Sequence, residues 1–126
     1  MIRGRVSDDA QALITVEILD GEGRCRPLDF ILDTGFTGYL TLPAESIRRL
    51  GLPAVGGRTF ELANGELFEF EAYLASVSWH GRPTDAVTLK SDSAPLLGMT
   101  LLWGSRVIVD ALSGGKVTIE ELTSAR

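Results

Sequence analysis

Phe30-Ile31-Leu32-Asp33-Thr34-Gly35 is an apolar run that stops abruptly at a carboxylate, a hydroxyl and a glycine. Its apolar part reads as a buried or half-buried strand bounded by a turn. Gly35 supplies the backbone freedom that a sharp turn needs. The side chain of Asp33 is thereby placed at the mouth of a β structure, where burial and neighbours tune acidity. A carboxylate needs such a setting to do acid–base chemistry near neutral pH. The tripeptide by itself also fits an ordinary turn, because Asp, Thr and Gly are all common turn residues. Its position directly after an apolar strand is what singles it out.

Working outward, most segments read as strands. Ala12 to Leu19 is rich in β-branched residues, and Asp20-Gly21-Glu22-Gly23 reads as a hairpin turn into Pro27 to Leu32. Tyr39 to Leu42 is a further short strand. Pro43 to Leu50 reads as a helix. Proline suits its first turn, Arg48 and Arg49 suit the negative end of its dipole, and Gly51 suits the position after its end. Ile47 and Leu50 can share its buried face. Thr59 to Phe70 is the clearest hairpin signal, and Asn64-Gly65 predicts a type I′ turn there. Strand continues through Tyr73 to Trp79, and a turn at His80-Gly81-Arg82-Pro83 leads to a strand from Thr84 to Leu89. Leu96-Leu97-Gly98 precedes a short helix over Met99 to Trp103, ending at Gly104. Arg106 to Asp110 and Lys116 to Ile119 form a last hairpin across Ser113-Gly114-Gly115, and Thr123 to Arg126 reads as a frayed tail. Many short strands with regular turn signals predict an all-β barrel or sandwich.

The chain has 126 residues, 44% of them hydrophobic, which suits a single domain over residues 1–126 with a real core. A formal net charge of −5 and no basic run exclude an electrostatic footprint for nucleic acid or anionic lipid. No apolar run approaches the roughly 20 residues of a membrane span. The N-terminus lacks the apolar core of a signal peptide. The lone Cys25 cannot form an intrachain disulfide and reads as a free structural thiol, which points to a reducing, cytoplasmic setting. One histidine and one cysteine do not supply the usual zinc ligands, so no metal and no cofactor are expected. His80 lies in a turn with no nucleophile elbow nearby and reads as a surface histidine. Trp79 and Trp103 read as core or dimer-contact residues.

Asp33-Thr34-Gly35 after an apolar strand resembles the catalytic motif of aspartic proteases. Leu96-Leu97-Gly98-Met99-Thr100-Leu101-Leu102 resembles the later apolar-apolar-Gly motif of the single-domain retropepsins (clan AA). There is one Asp-Thr-Gly, which fits the retroviral-type half enzyme and not the two-lobed pepsin type. The nearest resemblance is to the small bacterial and archaeal retropepsin-like proteins, in which Phe follows Asp-Thr-Gly, as Phe36 does here. It runs from about Ala12 to about Ile119.

That resemblance implies a closed acid-protease β-barrel with one or two short helices. It implies a homodimeric aspartic endopeptidase acting on a peptide or protein substrate. In it, Asp33 of each subunit meets its twin, and the pair shares a proton and activates water. Thr34 would hydrogen-bond across the dimer, Gly35 would let backbone approach the carboxylates, and Leu96, Leu97 and Gly98 would support the catalytic loop from beneath. The Phe60 to Tyr73 hairpin would be the flap over substrate, with Ala63, Asn64, Gly65 and Glu66 as its tip. Glu61, Glu66, Glu69 and Glu71 make that flap acidic and predict a preference for basic or polar peptides. Phe36 departs from the Ala or Ser usual in viral and pepsin-like enzymes, where Ser can hydrogen-bond the carboxylate. The alternative is a non-catalytic peptide-binding or dimerisation module of the same fold. A plain β domain with a coincidental turn motif is the third reading.

Overall fold

The computed structural model describes residues 1–123. The expected frayed end therefore lies outside the described residues from Ser124 onward. Among the described residues, ten strands and two short helices follow one another. They are β1 (Ile2–Val6), β2 (Ala12–Leu19), β3 (Cys25–Leu32), β4 (Leu40–Leu42), α1 (Ala44–Leu50), β5 (Ala54–Glu61), β6 (Leu67–Trp79), β7 (Arg82–Lys90), β8 (Leu96–Leu97), α2 (Met99–Leu102), β9 (Ser105–Val109) and β10 (Lys116–Glu121). The protein is mostly β, as expected. No helix is long and apolar enough to cross a membrane among the described residues.

The strands form one sheet in the order β5-β6-β7-β4-β8-β3-β2-β1-β10-β9. An extra contact pairs β2 with β6 through Ile18↔Val77 and Leu19↔Ser76. The ladder order thus returns on itself through β6, β7, β4, β8, β3 and β2. Alternate residues of β2, Ile14, Val16 and Ile18, turn into the core against Phe30, Leu97, Val117 and Ile119. Trp79 joins this core at 6% exposure, whereas Trp103 is 80% exposed and is no core residue. Cys25 is free but exposed, so it is not a buried structural thiol.

The helix α1 forms where Pro43 and Gly51 bracket it. Past its end, the Gly51 N–H donates to the Arg48 carbonyl at 3.1 Å and the Leu52 N–H to the Ile47 carbonyl at 3.3 Å, with Gly51 at φ +67°. This paired closure needs a left-handed residue, which glycine adopts without strain. Ile47 and Leu50 are buried as expected, while Arg48 and Arg49 reach back to Glu45. The Gly21 N–H donates to the last helical carbonyl, that of Leu50, at 2.8 Å and so docks the β2–β3 hairpin onto α1.

Several local expectations differ from what is observed. The flap turn is not type I′. Its strands are in register as Glu61↔Leu67, which leaves Ala63-Asn64-Gly65 as the loop, and only Gly65 has positive φ (+86°). The Gly65 N–H donates to the Leu62 carbonyl at 2.9 Å and the Leu62 N–H to the Glu66 carbonyl at 2.8 Å, a type I turn followed by a bulge. This register keeps Phe60 opposite Phe68, on one face. The type I′ turn occurs instead at His80-Gly81, with φ of +51° and +75° between Trp79 and Arg82. Strand β7 accordingly starts at Arg82, two residues before the expected start. His80 is not a free surface side chain, since its Nε2 shares a hydrogen bond with Ser105 Oγ at 2.8 Å.

Candidate active site

The site is built by one inserted strand. β8 lies between β3 and β4, parallel to the first and antiparallel to the second. Because β3 and β4 are consecutive in the chain, their link, residues 33–39, must pass over the end of β8. Ile31 pairs with Leu96 and Leu32 with Leu97, and the Asp33 N–H continues the ladder by donating to the Leu97 carbonyl at 2.9 Å. Leu97 is fully buried, so the base on which Asp33 stands is core. The position of β8 is fixed from the other side by Thr41 on β4, whose Oγ1 accepts the Leu96 N–H at 2.9 Å.

Asp33 itself is half-buried at the strand end. Its Oδ1 accepts the Gly35 N–H at 2.9 Å, and the Phe36 N–H donates to its carbonyl at 3.2 Å. These two bonds fold the loop into a tight turn and hold one oxygen of the carboxylate in place. The second oxygen carries no hydrogen bond among the described residues. Thr34 is exposed, and its hydroxyl likewise has no partner among them.

Gly98 explains how the loop is strapped down. A Cβ there would come within 2.4 Å of the Gly38 carbonyl oxygen, 2.6 Å of Phe36 Cδ2 and 2.7 Å of the Phe36 carbonyl oxygen. Only a residue without a side chain lets the α2 N-terminus approach the loop so closely. Four bonds use that approach. The N–H groups of Gly98, Met99 and Thr100 donate to the carbonyls of Tyr39, Phe36 and Gly38 at 2.9, 2.8 and 3.1 Å, and Thr100 Oγ1 donates to the Thr37 carbonyl. The Phe36 ring lies against Gly38 as well, where a Cβ would meet Cζ at 2.5 Å. Phe36 thus occupies space that two glycines leave free.

The same ring reaches the hairpin of β5 and β6. Phe36 and Phe60 have ring centroids 6.1 Å apart at 49°, Phe60 and Phe70 6.1 Å apart at 77°, and Phe68 and Phe70 5.2 Å apart. A line of four aromatic rings connects the loop to the hairpin arms. The expected tip, Ala63, Asn64, Gly65 and Glu66, is exposed, and no hydrogen bond or ring contact joins it to the loop among the described residues. Cross-strand register sorts the hairpin faces. Arg58↔Phe70 and Phe60↔Phe68 point one way, and Thr59↔Glu69, Gly57↔Glu71 and Glu61↔Leu67 point the other. Since Phe60 faces Phe36, the carboxylates of Glu61, Glu69 and Glu71 face away from the loop. Glu71 is further tied to Lys90, which holds its carboxyl below the ordinary range. The acidic lining expected of the flap is therefore absent from its inner face.

Asp33, Thr34, Gly35 and Phe36 are thus brought onto Leu96, Leu97 and Gly98, and the hairpin meets them through Phe60. Thr37, Gly38, Thr41, Thr100 and Arg58 belong to the same neighbourhood but were not expected. A Gly two residues after a bulky Phe was the available signal for Gly38.

No family model matches the chain. No curated protein matches it either. Among solved structures, it is similar to the EIAV protease complexed with the inhibitor HBY-793, with a TM-score of 0.52 and 23% identity over 70% of this chain and 83% of that one. This likeness shows a retropepsin-like fold. In this chain the insertion of β8 beneath the loop is what positions Asp33.

Proposed function

We propose that this protein is an aspartic-type endopeptidase that works as a homodimer and hydrolyses peptide bonds with water activated between two Asp33 carboxylates. The observation that carries the reading is the Asp33 loop itself. A half-buried carboxylate stands at the end of a core strand, with one oxygen held by Gly35 and its backbone held by Leu97, in a chain of retropepsin-like fold. One such acid facing its twin cannot ionise together with it cheaply, so the pair holds one proton. The ionised member takes a proton from the water and the protonated member donates to the scissile carbonyl. Thr34 would then bond across the dimer, and the six-strand circuit is read as the closed barrel of the family. Phe36 aligns the chain with the small bacterial and archaeal type, and the free Cys25 accords with a cytoplasmic setting.

Two features support a second copy as partner. Trp103 is 80% exposed, and β9 is an edge strand of the sheet, with Ile108 and Val109 exposed on it. Such an edge with apolar side chains pairs readily with another chain. The substrate is an extended peptide passing between the loop and the hairpin arms.

The competing reading is a non-catalytic peptide-binding or dimerisation module. It is favoured by Phe36, which has no hydroxyl with which to support the carboxylate, as a Ser at that position could. Asp33→Asn separates the two. Loss of peptide cleavage with the dimer retained supports the enzyme, and unchanged behaviour in both respects supports the module.

A further inference from the structure

Between the β5 arm of the hairpin and the Asp33 loop lies a cavity of about 200 Å³. Arg58 and Phe60 line it from β5, Val87 and Leu89 from β7, and Gly38 and Tyr39 from the loop. Thr37 and Thr100 complete the lining, and Arg58 is its one charged side chain. Among the described residues the other arginines, Arg3 on β1 apart, are matched by carboxylates, as Arg26 is by Asp20 at 3.0 Å and Arg106 by Glu120 at 2.6 Å. Arg58 has no carboxylate within ion-pair reach among the described residues. Its Nη1 donates to the Gly57 carbonyl at 2.9 Å and lies 3.5 Å from that of Val55, while Nε and Nη2 have no partner among them. The glutamates that could have neutralised it, Glu61, Glu69 and Glu71, lie on the opposite face of the hairpin.

We propose that this cavity is a specificity pocket for a substrate side chain ending in a carboxylate, glutamate above all, and that Arg58 is the residue that selects it. The inference rests on the peptide-cleaving reading and names one position of its substrate. An apolar wall accommodates the methylenes of a glutamate, and the open edge of the guanidinium accepts its head in a charge-assisted, bidentate pair. The glutamine analogue fills the same space but offers a single uncharged acceptor oxygen, so the ion pair and the second bond of the fork are lost. The expected discrimination between them is about tenfold. The preference is thus the reverse of the one that the glutamate-rich composition of the hairpin predicts.

The test uses matched peptides that carry Glu, Gln or Lys at each position in turn. Cleavage by the wild-type protein is measured as kcat/KM, and binding to the Asp33→Asn protein is measured by fluorescence polarisation. The expected result is one position at which Glu exceeds Gln by about tenfold in both assays. Arg58→Gln should erase that contrast, and Arg58→Glu should reverse it in favour of Lys. Arg58 is exposed on its strand, and unchanged melting temperatures verify that both variants remain folded. Equal handling of Glu and Gln, or a contrast that survives Arg58→Gln, overturns the pocket while leaving cleavage intact. A Glu contrast in binding with no cleavage of any peptide supports the pocket and overturns the protease reading. Failure to bind any peptide overturns both.

Discussion

Gly98→Ala is the perturbation whose outcome follows most directly from the geometry. The backbone at Gly98 has φ −106° and ψ 179°, which alanine adopts freely, so the substitution carries no conformational penalty of its own. Its effect is steric. Ordinary contact begins near 3.4 Å, and the new Cβ would lie 2.4 Å from the Gly38 oxygen and 2.7 Å from the Phe36 oxygen. Both carbonyls must retreat by about 0.7 to 1.0 Å. Overpacking of this kind costs about 1–3 kcal/mol. These two oxygens also accept the N–H groups of Thr100 and Met99, and weakening each bond adds about 0.5–1 kcal/mol. The expected loss is about 3 kcal/mol, or a fall of about 10 °C in Tm for a chain of this size. Urea unfolding and thermal melts measure it. Gly57→Ala is the control, since a Cβ there meets only the side chain of Glu69, at 3.3 Å, and that chain can swing aside. Its expected cost is below about 0.5 kcal/mol. Equal stability of the two variants would refute the claim that Gly98 straps the Asp33 loop to α2.

The Phe36–Phe60 contact is expected to show a coupling of about 0.5–1.5 kcal/mol in a double-mutant cycle of Phe36→Ala and Phe60→Ala, with faster amide exchange over residues 58–70 in Phe36→Ala; additive effects would contradict it. Asp20, buried in the β2–β3 turn, has its carboxyl lowered from 3.8 to about 2, first by the Arg24 backbone N–H and then by the Arg26 guanidinium. Its stabilisation is complete above the unfolded value and is lost as pH falls through about 2. Asp20→Asn should lower Tm at neutral pH and flatten the decline between pH 4 and 2, and an unaltered decline in acid would count against this role. Burial lowers the pKa of His80 below 6.5, against the pull of Glu121. The unfolded chain therefore binds the proton more readily, and stability falls as pH drops through 6.5 towards the lowered value. His80→Asn, compatible with φ +51°, should remove that part of the slope between pH 7 and 5; an identical slope in both proteins would contradict it.

The parts of the site that were legible in the sequence are those written into contiguous residues. The strand that delivers Asp33, the Gly51 closure of α1 and the existence of the hairpin after Thr59 all follow from local pattern. What could not be read depends on partners far along the chain. Ile2-Arg3-Gly4-Arg5-Val6 has little strand character of its own and becomes β1 by pairing with β2 and β10, as in Ile2↔Ile119. The turn at Asn64-Gly65 looked like type I′ because that pair favours it, but the register that puts Phe60 against Phe68 fixes a longer loop. The seat of Phe36 on Gly38 and Gly98 is a tertiary fit, invisible until β8 is seen beneath the loop. The glutamates of the hairpin dominated its composition, and only the register shows that they face away while Arg58 faces in.

The shared-carboxylate site is tested most directly by mixing subunits. Wild-type protein and the Asp33→Asn variant, combined in equal amounts and allowed to exchange at constant total concentration, are assayed for peptide cleavage. If each site needs Asp33 from both copies, activity falls to about a quarter, as the fraction of doubly wild-type pairs requires. A fall to about one half, in proportion to the wild-type chains alone, would mean that a single Asp33 suffices and that the paired site does not exist.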